Sequence, residues 1–119
     1  MRGFRELQVW RKAHCLTIAV YRASRGFPND ERYGLTSQIR RSAASVCANL
    51  AEGCGRSGKR DFGRFVQVAL GSASELEYHL LLASDLDMLE RHSYEALDRS
   101  VTEVKRMLTG LLRKLMAEG

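Results

Sequence analysis

The seven residues GCGRSGK at positions 53–59 match two phosphate-binding patterns at once. Gly53, Gly55 and Gly58 satisfy G-x-G-x-x-G. Gly53, Gly58 and Lys59 satisfy G-x-x-x-x-G-K, with Arg60 where a magnesium-holding Ser or Thr belongs. Such loops cradle phosphates with backbone N–H groups, and they need a preceding strand whose end aims the loop at the nucleotide. The residues before Gly53 carry a helical period instead, and no strand–helix–strand unit is present. The context therefore argues against nucleotide hydrolysis and dinucleotide binding. What remains is a turn bearing Arg56, Lys59 and Arg60 at a helix start, with Arg64 one turn on. Free N–H groups and positive charge together suit a phosphate. The alternative is that the glycines reverse the chain and the charges keep it solvated.

No other constellation supports catalysis. Glu75 and Glu77 sit two residues apart on a helix and point about 160° away from each other. Glu52 and Glu75 can approach across two helices, but no Glu-x-x-His partners them as a di-iron bundle requires. His79 follows Glu75 by one turn, a spacing common at surfaces and seams. Cys15, Cys47 and Cys54 form no C-x-x-C pair, and His14, His79 and His92 are dispersed. The expectation is a protein that is not an enzyme, with no metal and no cofactor.

The chain has 119 residues and a formal charge of +5, enough for a single domain (1–119) with its own core. Arginine dominates the basic residues, and the charge is uneven. Residues 1–64 hold 13 basic and 5 acidic groups, whereas residues 65–119 hold 6 and 9. That asymmetry suggests a basic surface able to meet phosphates, Arg40 and Arg41 included. No apolar run is long enough to span a membrane. The opening MRGFRELQVW interrupts its apolar residues with charge and so does not read as a signal peptide. A cytoplasmic protein is expected.

Stepping out from these residues, four amphipathic segments must position them, and nothing reads as a strand. In residues 4–24, Val9, Ala13, Leu16 and Val20 form one apolar stripe, flanked by Trp10 and Tyr21. Phe4, Leu7, Cys15 and Ile18 fall on nearly the opposite side, so this helix needs two partners. Gly26 suits a left-handed cap, Pro28 ends the segment, and Asn29 or Asp30 suits the cap of a short turn.

In residues 35–52 the core stripe is Leu35, Ile39, Ala43, Val46 and Leu50. A polar stripe of Gln38, Arg41, Ser45, Asn49 and Glu52 runs roughly opposite, either as the solvated side or as a hydrogen-bonded seam in a subunit interface. The third helix follows Ser57 as N-cap and reaches residue 86. Phe62, Phe65, Val66, Ala69, Ala73, Leu76, Leu80 and Ala83 share one sector of it. Leu80, Leu81 and Leu82 predict cover on more than one side, and the small residues Gly71, Ser72 and Ser74 predict a close neighbour. The fourth helix, from residue 93, carries Leu97, Val101, Val104, Leu108, Leu111 and Leu115 as a heptad seam. The fold class predicted is all-α, an antiparallel up-down-up-down four-helix bundle.

The strings FRELQVW (4–10), FPNDE (27–31), YGLTSQIRRS (33–42), SVCANLAEG (45–53) and GSASELE (71–77) resemble the four-helix-bundle family encoded in intervening sequences of bacterial 23S rRNA genes. That family is related to the accessory variability proteins of diversity-generating retroelements. The resemblance implies a bundle assembled as a ring-shaped homopentamer. Subunit contacts would then account for Phe4, Leu7 and Ile18 on the first helix, Gln38, Asn49 and Glu52 on the second, and Ser72 and Glu75 on the third. The retroelement relatives are basic scaffolds that bind a reverse transcriptase and nucleic acid. By that analogy the partners are other copies of the chain, RNA or DNA, and a protein such as a reverse transcriptase; no membrane is implied. The resemblance brings no catalytic residues. Two readings follow: a phosphate-binding accessory factor using Arg40, Arg41, Arg56, Lys59, Arg60 and Arg64, or a scaffold that binds protein through its polar stripes.

Overall fold

Each apolar stripe closes on the others. The computed structural model describes residues 3–118, the last by its backbone alone. Helix α1 spans Gln8–Ser24, α2 Leu35–Cys54, α3 Lys59–Asp85 and α4 Arg91–Glu118. No strand occurs among the described residues. The helices run antiparallel in sequence order, joined by short links, in a body 45 Å long and 23 by 20 Å across. Helix α1 packs on α2 and α4, and α3 packs on α2 and α4, with the diagonal pairs kept apart. No helix among the described residues is long and apolar enough to cross a membrane.

The core is mostly the residues that the periodicity picks out, joined by Phe27, Cys54 and Leu89, while Leu111 stays half-buried. Val9, Ala13, Leu16 and Val20 are buried from α1, and Leu35, Ile39, Ala43, Val46 and Leu50 from α2. Helix α3 buries Phe62, Val66, Ala69, Ala73, Leu76, Leu80 and Ala83, and α4 buries Leu97, Val101, Val104, Leu108 and Leu115. Phe65, from the same sector of α3, stays half-buried. Of the leucine run, Leu80 is fully enclosed and Leu82 packs partly against the core, but Leu81 is exposed. Cover on more than one side is thus only partial within one chain. Two ion pairs at the rim hold α4 in register, Lys12 Nζ to Glu103 Oε2 at 2.9 Å and Lys105 Nζ to Glu77 Oε1 at 2.8 Å. Such partly exposed pairs contribute about 1 kcal/mol or less each.

The helix ends depart from the sequence reading in several places. Phe4–Glu6 form a separate 3-10 turn, and Leu7 is extended before α1 begins. The break lets Phe4 fold back edge-on to Trp10, with ring centroids 4.8 Å apart. Gly26 is not left-handed: among the described residues only Gly58 and Asp87 have positive φ. The turn Asn29–Glu31 has Pro28 at its N-cap, with no side-chain cap from Asn29 or Asp30. Glu31 caps instead, its Oε1 accepting the Leu35 N–H at 3.0 Å. Helix α3 ends in a Schellman arrangement, with the Met88 N–H reaching Ala83 O at 2.9 Å over Asp87 at φ 60°. Aspartate takes the place glycine commonly fills there, so no glycine marks this end in the sequence.

The thiols give a direct check on this packing. Cys15 is exposed, Cys47 half-buried and Cys54 buried, all as free cysteines. Burial pushes the Cys47 thiol above its ordinary range, against a smaller opposing effect of its hydrogen bond with Thr17, and burial raises Cys54 as well. The thiolate is the reactive form. Iodoacetamide at neutral pH is therefore expected to alkylate Cys15 first and to reach Cys47 and Cys54 only on unfolding, as peptide mass spectrometry would read. Equal labelling of all three in the folded protein would contradict the packing of α2.

Candidate nucleic-acid interface

The glycine-rich segment begins inside a helix. Gly53 and Cys54 complete α2, and both are buried. A Cβ at Gly53 would lie 2.8 Å from Phe62 Cδ1 and 2.9 Å from Phe65 Cβ. The first glycine of the pattern is thus used for close helix packing, and no strand precedes the turn. Residues 55–58 reverse the chain, and Gly58 at φ 129° and ψ 146° occupies the N-cap position of α3. A side chain is strained at such a φ. Ser57 stands one position too early to be the N-cap, and no side chain caps this helix.

Around the turn four cations gather with two carboxylates. Arg56 Nη2 lies 3.1 Å from Glu52 Oε2, and its Nε lies 3.9 Å from Asp61 Oδ2. Arg64 donates from Nε and Nη2 to Asp61 Oδ1 at 3.1 and 2.9 Å. Asp61 is therefore shared by two arginines. Both guanidinium groups also lie over the Phe65 ring, at 5.0 Å for Arg56 and 4.6 Å for Arg64. Phe65 is half-buried and serves as their platform. Arg60 makes no ion pair or hydrogen bond among the described residues. Lys59 opens α3 beside it. The pairs that hold Arg56 and Arg64 are half exposed. Exchanging one carboxylate partner for a phosphate there costs about 1 kcal/mol or less in lost pairing.

Arg40 and Arg41 do not join this cluster. They sit in the first half of α2, roughly 20 Å from the turn at 1.5 Å per residue. Arg40 is occupied: its Nε donates to Ser24 Oγ at 2.8 Å, its Nη2 to Tyr21 O at 3.4 Å, and its guanidinium covers the Tyr21 ring at 5.0 Å. It ties the end of α1 to α2. Arg41 is exposed.

The candidate subunit-contact residues divide in the same way. Ser45 and Ser72 hydroxyls lie 2.8 Å apart, and Asn49 Nδ2 donates to Ser45 O and Oγ at 2.8 and 3.0 Å. Ser42 Oγ lies 3.3 Å from His79 Nδ1. Asn49 and Ser72 thus belong to a polar seam between α2 and α3 of one chain. Gln38, Glu52 and Glu75 are exposed, with Glu75 Oε2 at 3.8 Å from His79 Nε2. Phe4 and Leu7 pack partly against the core, and Ile18 is 37% exposed. The sequence reading did not single out Val68 and Tyr78 of α3, which are exposed as Leu81 is.

A family model described as 23S rRNA-intervening sequence protein matches residues 5–110. The chain is also similar to a crystal structure of a protein of unknown function from the S23 ribosomal protein family of Bacteroides thetaiotaomicron VPI-5482. That similarity has a TM-score of 0.78 and 25% sequence identity, covering 87% of this chain and 97% of the other. No match is found among curated proteins.

Proposed function

This chain belongs to the 23S rRNA-intervening sequence protein family, and from that premise we propose that it is a non-catalytic, oligomeric accessory protein that holds nucleic acid by its phosphates. The observation that carries the reading is the gathering of Arg56, Lys59, Arg60 and Arg64 around one turn, where Arg56 and Arg64 share the carboxylates of Glu52 and Asp61. Arg56 and Arg64 also lie over the Phe65 ring. A planar guanidinium offers two donors to one phosphate. Contacts to phosphates carry no sequence information directly, so the binding is independent of sequence.

One cluster binds weakly, and several copies on one assembly multiply it through effective concentration. The ring-shaped homopentamer implied by the resemblance would do so. The exposed Val68, Tyr78 and Leu81 of α3 and Ile18 of α1 offer apolar surface for that contact. The location that suits this role is the cytoplasm. The same exposed apolar residues favour a second reading, a scaffold that takes a protein partner, such as a reverse transcriptase by family analogy.

The experiment is binding of RNA and duplex DNA by the purified protein across a salt series, with its mass measured alongside. A variant with Arg56, Lys59, Arg60 and Arg64 all changed to Ala is the comparison. The expected result is affinity that falls steeply with salt, and a slope that flattens in the variant by roughly 0.7–0.9 per phosphate contact removed. The oligomeric mass is expected to persist in the variant. Absence of binding at about 50 mM salt, where such contacts are strong, would overturn the nucleic-acid reading and favour the scaffold.

A further inference from the structure

The basic turn forms one wall of a groove whose other wall is the end of α4. Its volume is about 690 Å³, within the range of sites that take small molecules. Lys59, Arg60 and Arg64 form its rim, and Leu112, Leu115 and Met116 its floor. Leu115 is buried and Leu112 half-buried, and Met116 is 67% exposed at the mouth. Asp61 also faces the groove, already engaged by Arg64 and Arg56. Among the described lining residues, three are basic and one is acidic. The antiparallel packing brings this floor to the turn, because α4 ends where α3 begins.

A phosphate alone satisfies the rim and leaves the floor unused. A ligand that uses both has an anionic group and an apolar, planar face within one residue's length of each other. We propose that this groove accepts an unpaired nucleotide of a single strand, its phosphate on Lys59, Arg60 and Arg64 and its base against Leu112, Leu115 and Met116. The proposal deepens the phosphate-binding reading and rests on it. A duplex presents the same phosphates, but its bases are stacked and paired and cannot reach the floor. An unpaired base has free faces, and covering one with aliphatic side chains removes apolar area from water whatever the base. Gln67 at the lip supplies an amide that can both donate and accept, which every base edge can meet. The selectivity is therefore for unpaired over paired nucleic acid, without a sequence preference.

The test is fluorescence anisotropy of the purified protein with three labelled probes of equal length at low salt. These are an unstructured single strand, the same strand made abasic, and a duplex. The single strand is expected to bind about tenfold more tightly than the abasic strand, the effect of burying one base face on an apolar floor. Met116→Gln, a neutral change at an exposed position, is expected to remove most of that advantage and leave duplex affinity unchanged. Equal binding of the intact and abasic strands, or no effect of Met116→Gln, would overturn the proposal and leave the phosphate-binding reading standing. Failure of all three probes to bind would overturn both. A nucleoside monophosphate is expected to displace the strand only at millimolar concentration, and displacement at micromolar concentration would overturn the assignment to a strand.

Discussion

Leu80→Ala is expected to lower the free energy of unfolding by about 3–4 kcal/mol, within the range for emptying an enclosed leucine site. Leu80 has no exposed surface, and it lies in the second half of α3, one turn after Leu76, which is almost equally enclosed. Rigid stripes from α2 and α4 flank it, and such neighbours collapse only partly into a void. The neighbouring Leu81→Ala removes the same atoms from a side chain that is 43% exposed. Its cost is expected to stay below about 1 kcal/mol, because the transfer gain is small and no cavity forms. Urea melts of the two variants under the same conditions measure the difference. Equal costs for adjacent leucines would mean that α3 is rotated from the orientation described. If Leu81 lies under a second copy, its loss shows instead as a change in mass on dilution.

Gly53→Ala is expected to destabilise the protein by roughly 1–2 kcal/mol, although alanine is the better helix former. In an open helical position the exchange is favourable by about 1 kcal/mol. At Gly53 the new methyl would stand 2.9 Å from Phe65 Cβ and 2.8 Å from Phe62 Cδ1. The ring of Phe62 can turn a little, but Phe65 Cβ is fixed to the backbone of α3. The helices must separate locally, and overpacking of this kind costs about 1–3 kcal/mol, which outweighs the gain. Gly71→Ala and Gly110→Ala are the controls: both are helical, and a Cβ at either meets nothing within 4 Å. Each is expected to stabilise by about 0.5–1 kcal/mol, so the sign reverses within one set of thermal melts. Gly53→Ala has a second expected consequence. Moving Phe65 shifts the platform under Arg56 and Arg64, so nucleic-acid affinity falls even where the variant is fully folded.

The periodicity of the sequence determined the four helices and nearly all of the core. Val9, Ala13, Leu16 and Val20 are enclosed because burial acts on each residue separately and a helix repeats its inward face every 3.6 residues. The same logic identified Leu35 through Leu50 on α2, Val101 through Leu108 on α4, and the failure of the glycine motif as a nucleotide loop. The tertiary structure decided everything that depends on where one helix stands against the next. It sent Gly53 into helix packing and put Gly58 at the N-cap of α3. It paired Ser45 with Ser72 within the chain, committed Arg40 to α1, and left Leu81 outside while Leu80 closed the core. It also carried Met116 to the side of Lys59 and Arg60. Each of these is a meeting of side chains from separate helices or turns, set by rotation and register between the helices. A stripe records which face of a helix turns inward but not what stands opposite it.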